Sequence, residues 1–410
     1  MRVLVNATCA LTTRSGIGHH TAEVLAALER RTDVTVGTYP SGVFLPCTKW
    51  LAGQAERYLK ARERGGFAAR VEATARRGVM AVARRAGKLF VPNPLDHCAR
   101  RGGFELYHEP NTLAGPCSLP LVTTVHDLSV LLHPEWHPAR RVTEYERQFR
   151  DTQGRAAHAF AVSEFTKREL VRHTVFPAER VTVTYNGRRP FLRPLALAEC
   201  APALLRLGLR PGYLLHVGTV EPRKNLGLLL RAHAGLPRAV REEHPLVLVG
   251  GSGWRANELE SEIAARQAEG TVKRLGYCAD SDLAALYSGA RALAFPTLYE
   301  GFGMPTVEML ACGGAVLAST AGAVAETVGG AAHLIDPHDE GGWRDALLRA
   351  CTDDDWWHGL REGATEAAVP FTWDRCAEDT AKGYRAALGQ REEVKRAAQD
   401  RLPACSVRPS

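Results

Sequence analysis

The sequence predicts an α/β protein made of two parallel-sheet domains, and three observations predict it. Short apolar runs alternate with longer amphipathic stretches along the chain, the signature of βαβ units. The 410 residues, 45% of them hydrophobic, exceed what one core normally holds and suffice for two. A proline cluster at Arg188–Pro211 (Pro190, Pro194, Pro202 and Pro211) breaks the rhythm midway.

The expected elements follow in order. In the first half the apolar runs Arg2–Ala7, Val34–Tyr39, Phe104–His108, Pro120–His126, His158–Ser163 and Val181–Tyr185 read as strands. In the second half Tyr213–Gly218, Pro245–Gly250, Val272–Gly276, Ala292–Pro296, Ala315–Ser319 and His333–Asp336 do so. Helical patterns lie between most of them. Residues 1–195 are expected to form a first Rossmann-like domain and 196–371 a second. A helix over 372–390 and a frayed charged tail over 391–410 follow.

Composition narrows the classes. A net charge of +7 with 24% charged residues fits an anionic ligand better than a dedicated nucleic-acid binder, and no nucleic-acid partner is expected. Ten scattered cysteines form no C-x-x-C pair, so reduced thiols and a cytoplasmic setting are expected. No stretch approaches the ~18 continuous apolar residues of a membrane span. Residues 49–101 carry thirteen Lys/Arg against four Asp/Glu, with apolar residues interleaved. Such a stretch can lie on an anionic membrane face, which would make the protein peripheral at the inner membrane. The plainer reading, a solvated basic face or an acceptor-binding surface, is preferred.

The chemistry concentrates where strands end. Glu300-Gly301-Phe302-Gly303-Met304-Pro305-Thr306-Val307-Glu308 follows one strand and opens a helix. Ligands of open α/β sheets sit at the carboxyl ends of strands. Gly301 and Gly303 would let backbone amides approach an anion, and Pro305 suits a first helical turn. Glu300 would project from the loop toward sugar hydroxyls, and Glu308 would accept ribose hydroxyls. The plainer alternatives are a surface Glu300 and a Glu308 that complements the helix dipole.

Gly218-Thr219-Val220-Glu221-Pro222-Arg223-Lys224 is a second strand-to-helix turn. Cations are unfavourable at a helix start, and a diphosphate between Arg223, Lys224 and the amides would resolve the conflict. An exposed basic pair is the alternative. Gly16 and Gly18, after the first strand, form a third such turn, although Thr21 breaks the G-x-G-x-x-G pattern. His126 ends a strand and can reach a sugar hydroxyl or the transfer centre, the alternative being a purely structural histidine. Asp280-Ser281-Asp282 and Asp353-Asp354-Asp355 read as helix caps rather than metal ligands, and no metal is expected.

Together these residues resemble the family 4 glycosyltransferases, retaining enzymes of the GT-B fold. The E-x7-E pattern is matched by Glu300 and Glu308, the donor-phosphate pair by Arg223 and Lys224, the glycine loop by Gly16 and the cleft histidine by His126. The resemblance runs from Arg2 to about Leu388. It includes Ala161–Thr166, Tyr185–Gly187, Leu248–Gly253 and Arg274–Tyr277, with wording closest to bacterial mannosyltransferase-like members. Thr219 stands where many members carry arginine, so Arg223 is taken as its substitute.

The resemblance implies two Rossmann-like domains facing a central cleft, with a last helix crossing back to the first. It implies His126, Glu300, Arg223 and Lys224 at the transfer centre. Gly16, Gly218, Gly251, Gly276, Tyr277, Gly301, Phe302, Gly303 and Glu308 would line the donor, and His108, Glu109 and Asn111 the acceptor. A nucleotide diphosphate sugar, GDP-mannose ahead of a UDP-sugar, is the implied co-substrate, with a saccharide, lipid-linked or small-molecule acceptor. The rival readings are a nucleotide-sugar epimerase and a non-catalytic sugar- or nucleotide-binding partner subunit.

Overall fold

A computed structural model of the chain describes residues 1–12, 16–42, 44–50, 53–54, 57, 93–254 and 257–400. The basic stretch 49–101 lies mostly outside the described residues, as do Ser15 and the tail 401–410. Among the described residues no helix is long and apolar enough to cross a membrane.

Among the described residues, twelve strands form two six-stranded sheets. The first holds β1 (Arg2–Asn6), β2 (Thr35–Tyr39), β3 (Leu106–Glu109), β4 (Leu121–Val125), β5 (Ala156–Ala161) and β6 (Val181–Val183), in the order β2-β1-β3-β4-β5-β6. The second holds β7 (Tyr213–Val217), β8 (Leu246–Val249), β9 (Val272–Gly276), β10 (Ala290–Phe295), β11 (Ala315–Ser319) and β12 (His333–Ile335), in the order β12-β11-β10-β7-β8-β9. Every registered pair is parallel. Each sequence-predicted strand is present within a few residues.

The sheets are covered on both faces, so their strands bury side chains in both directions. In β1, Val3 and Val5 join one core cluster while Leu4 joins the other. In β11, Val316 and Ala318 face one cluster and Ala315 and Leu317 the opposite one. This alternation is the period-two geometry of a strand.

The last helix, Trp373–Asp400, follows the second sheet but packs in the core of the first. Its buried residues Trp373, Cys376, Ala377, Thr380, Ala381, Tyr384 and Ala387 fall at three- and four-residue spacing, one stripe of a helix. Gly383 has no side chain because the Phe160 ring lies 2.2 Å from where a Cβ would be. The Tyr384 hydroxyl and the His108 Nδ1 share a hydrogen bond of 2.7 Å, fixing the helix to β3.

Two expectations about local structure change. The proline-rich connection is not irregular throughout: Leu197–Arg206 is a helix with Pro202 inside it. It packs on the helix Asp280–Gly289, where Gly289 meets Leu204. Asp280 and Asp282 do not cap that helix. Its N-cap is Ala279, and the two aspartates occupy the first turn, where their charge complements the dipole. Asp282 also pairs with Arg206 at 2.6 Å. Asp353 does cap, accepting the Trp356 amide at 3.0 Å.

Candidate active site

Topology decides where the chemistry gathers. In the second sheet the chain order reverses between β7 and β10, the switch point at which an open α/β sheet binds its ligand. The loops leaving those two strands are sewn together there. Leu298 N–H donates to the Arg223 carbonyl at 2.8 Å, and the Thr297 hydroxyl to the same carbonyl at 2.9 Å. Asn225, in left-handed conformation with φ 56°, donates its side-chain amide to the carbonyls of Pro296 and Pro337 at 3.1 and 2.7 Å. Asparagine tolerates that backbone better than most residues.

This stitching brings Arg223 and Lys224 onto one carboxylate. Arg223 NH1 lies 2.9 Å from Glu300 Oε2, and Lys224 Nζ bonds Glu300 Oε1. Arg223 Nε also meets Glu221 Oε1 at 2.7 Å. Glu300, expected as a projecting acceptor, is instead 7% exposed and engaged by both cations. Burial would raise its carboxyl, but Arg223 and then Lys224 outweigh burial and hold it below the ordinary glutamate range. Arg223 is raised in turn. Burial alone would lower it, and the charges of Glu300, Asp127 and Glu221 prevail.

Gly218 lies over this pair, with the Lys224 stem 3.5 Å from its missing Cβ. Gly250, at φ 139°, presses on the Gly218 carbonyl, and Gly251 accepts the Val220 amide at 3.0 Å. Gly276, at the end of β9, accepts the Gly250 amide at 2.7 Å. Gly218, Gly250, Gly251 and Gly276 therefore form one packed rim at the carboxyl edge of the sheet. Tyr277 beside it is exposed.

The loop 300–303 is also where the lobes touch. A Cβ on Gly301 would lie 1.7 Å from the His126 carbonyl oxygen, so only glycine fits. The Gly301 carbonyl accepts the hydroxyls of Ser163 at 2.6 Å and Thr166 at 3.1 Å, both from the first lobe. Glu326 of the second lobe accepts the amides of Glu164 and Phe165 at 2.7 and 2.8 Å, at the start of the helix Glu164–His173. Tyr185 donates to the same carboxylate at 2.8 Å. Gly303, at φ 89°, then starts the helix Met304–Ala311 with Pro305 in its first turn. The Phe302 side chain turns into the core against Phe371, so only its backbone faces the site.

Glu308 sits one helical turn on and is 3% exposed. The Tyr287 hydroxyl donates to its Oε2 at 2.8 Å, and Arg189 forms an ion pair with Oε1 at 3.2 Å. Burial raises its carboxyl, with Arg189 and Tyr287 only partly offsetting it. Arg189 also reaches the His19 ring on the helix Gly16–Glu29. Gly16 and Gly18 are thus already helical. Gly16 is exposed as the first residue of the helix, with nothing within 4 Å of where its Cβ would be.

His126 is placed between the lobes, its Nε2 on the Pro110 carbonyl at 2.8 Å and its ring 4.7 Å from that of His20. Burial lowers its pKa, so it is neutral at pH 7. The acceptor candidates diverge. His108 is buried with both ring nitrogens occupied, by Tyr384 and by Thr124 at 2.8 Å. That corrects the expectation of a ligand-facing ring: it secures the crossing helix. Glu109 is buried at the first sheet's own switch point, between β1 and β3. It accepts Asn6 at 2.7 Å and Tyr107 at 2.6 Å. The Asn111 amide donates to it at 3.1 Å.

Sequence reasoning missed Arg189, Asp127, Glu221, Tyr287 and Glu326. Asp127 stood beside His126. Burial would raise its carboxyl, but Arg223 across the interface and its Ser129 bonds bring it below the usual range. Arg189 was absorbed into the proline-rich connection, and only the preceding Tyr185-Asn186-Gly187 marked the place. The hollow of about 360 Å³ lined by Met1, Asp33, Arg385, Leu388 and Gly389 lies at the amino ends of the first sheet's strands. None of the site residues borders it.

Two Rossmann-like lobes, meeting over paired cations at a strand switch point, define the GT-B class of glycosyltransferase. The family described as "Glycosyl transferases group 1" matches residues 205–368, and "Glycosyltransferase Family 4" matches residues 14–190. The O-antigen chain mannosyltransferase B of Escherichia coli is 35% identical over 68% of this chain and 74% of its own. A D-inositol 3-phosphate glycosyltransferase of Streptomyces bingchenggensis is 31% identical over 70% of this chain and 68% of its own. Among solved structures, Anabaena HepE, crystallised with UDP and glucose, superposes with a TM-score of 0.67 at 19% identity, covering 94% of this chain and 99% of that one. The chain belongs to glycosyltransferase family 4 and is a glycosyltransferase.

Proposed function

We propose that this enzyme moves a mannosyl residue from GDP-mannose to a saccharide, lipid-linked or small-molecule acceptor, with retention of anomeric configuration. The observation that carries the reading is the convergence of Arg223 and Lys224 on Glu300 at the β7–β10 switch point. The similarity to an E. coli O-antigen mannosyltransferase supports mannose as the sugar.

In this reading a diphosphate replaces Glu300 as the partner of the two cations, with Glu221 holding Arg223 in place. Glu300 is then released toward the sugar hydroxyls. The cations stabilise charge building on the leaving diphosphate, an interaction that strengthens in the transition state. Glu308 takes the ribose hydroxyls. Neutral His126, aimed from the first lobe, orients the sugar. The two cations perform the charge neutralisation a metal would otherwise supply, so no metal is required. Closure of the lobes at Gly301 excludes water and protects the donor from hydrolysis.

A melting-temperature screen against GDP, UDP, ADP and their sugars tests this. GDP and GDP-mannose should raise the midpoint most, since a ligand bound only by the folded state stabilises it by mass action. A larger response to UDP-sugars would reassign the base and sugar. No response to any nucleotide would end the proposal.

A further inference from the structure

The first lobe presents a second corner with the marks of an anion site. The helix Ala139–Arg155 spans 17 residues, and its N-cap, Pro138, offers no side-chain cap bond. Its first turn holds no acidic residue and instead carries Arg140 and Arg141. Cations there oppose the helix dipole, which favours negative charge at that end. Among the described residues neither arginine forms an ion pair, and both are exposed.

The second observation is His137, just before that helix. It is 2% exposed, and neither ring nitrogen has a hydrogen-bond partner. A buried imidazole without partners is costly and calls for an explanation. Burial and then Arg141 lower its pKa to about 4, so it stays neutral and offers one donor and one acceptor. Its ring lies 5.6 Å from that of Trp254 of the other lobe, which places it at the seam between the lobes.

The opposite lobe closes the corner. Trp254 donates its indole N–H to the Trp136 carbonyl at 2.8 Å, and the Arg141 guanidinium lies 4.3 Å from its ring centroid. The nearby carboxylates are engaged elsewhere, Asp127 by Ser129 and Glu135 beside His133 at 3.3 Å.

We propose that His137, Arg140, Arg141 and the amino end of this helix form a subsite for an anionic group of the phosphate class carried by the acceptor. The proposal rests on the donor reading proposed above, because that reading leaves the first lobe to the acceptor. The donor diphosphate has its own cations on the other lobe, so this site is left for the second substrate. Trp254 would couple its occupancy to lobe closure.

The test uses the full chain saturated with GDP, or with UDP if that binds instead, so that the donor cations are blocked. Inorganic phosphate and mannose 6-phosphate are the probes and mannose the uncharged control, followed by calorimetry. Both phosphates should bind at least about tenfold more tightly than mannose, the worth of a charge-assisted contact. The double variant Arg140→Gln/Arg141→Gln should lose that advantage while nucleotide affinity is kept. Ala139→Asp provides a check independent of folding. A carboxylate in the first turn should leave melting unchanged or raise it, yet repel the probe. Equal affinity for mannose and mannose 6-phosphate, or full phosphate binding in both variants, overturns the subsite. Failure of the wild type to bind any nucleotide would strike the proposed donor reading instead.

Discussion

The two lobes have similar parallel sheets, yet their switch points are chemically opposite. Between β7 and β10 the chain places Arg223 and Lys224 against Glu300, charge against charge in a buried setting. Between β1 and β3 it places Glu109 among Asn6, Tyr107 and the Asn111 amide, with no cation in contact among the described residues. The consequence shows in the two carboxyls. Cations hold Glu300 below the ordinary range, while burial pushes Glu109 up to about 7. Topology supplies the crevice in both lobes, and only the side chains decide which one can hold a diphosphate.

The sharpest way to break this comparison is to remove the charge of the second switch point. Arg223→Gln/Lys224→Gln should cut kcat/KM by about 100-fold or more, since each charge-assisted hydrogen bond to phosphate is worth roughly 1.5–3 kcal/mol. Steady-state kinetics on purified variant checks it. Residual activity within a few-fold of wild type would remove the cations from the mechanism.

Next in size is the seam between the lobes. Gly301→Ala forces a methyl into the His126 carbonyl, so the lobes must separate there. Misplacing the reacting groups by about 1 Å can cost ~100-fold in rate. Melting should change far less, because each lobe keeps its own core. A variant with wild-type kcat would show that this contact is dispensable for turnover.

A smaller effect belongs to the first lobe. Folded Glu109 holds its proton up to about pH 7, whereas the unfolded carboxyl releases it near 4.5. The folded state therefore binds more protons between those values, and this group makes stability fall as pH rises from about 4.5 to about 7. Glu109→Gln should remove that slope in denaturant melts recorded across the window. An unchanged slope would contradict the assigned environment. The smallest expected effect is that of a chelator: transfer should change less than about twofold in excess EDTA if the two cations alone neutralise the diphosphate. Loss of activity restored by a divalent cation would contradict it.

The fold was legible because it is written in strand-length apolar runs. All twelve strands lie where the hydrophobic pattern places them, including short β6 and β12. The convergence of Glu300 with Arg223 and Lys224 was only half legible. The motif spacing put the residues on two loops at strand ends, but that Glu300 is buried under both cations depends on loops more than 70 residues apart in sequence being sewn together. Arg189 and Glu326 carried no local signal, because their partners Glu308 and Glu164 lie on other elements and meet them only in three dimensions. His108 was misjudged for a similar reason: its second partner, Tyr384, is 276 residues away.

The central claim is that Arg223 and Lys224 hold the donor's diphosphate. Its most direct test is calorimetric titration of GDP, with UDP in parallel, into the wild type and Arg223→Gln/Lys224→Gln. The account expects one of the two nucleotides to bind the wild type and to lose about 100-fold or more in affinity in the variant, with the variant's melting profile still cooperative. Equal affinity in the two proteins would contradict it.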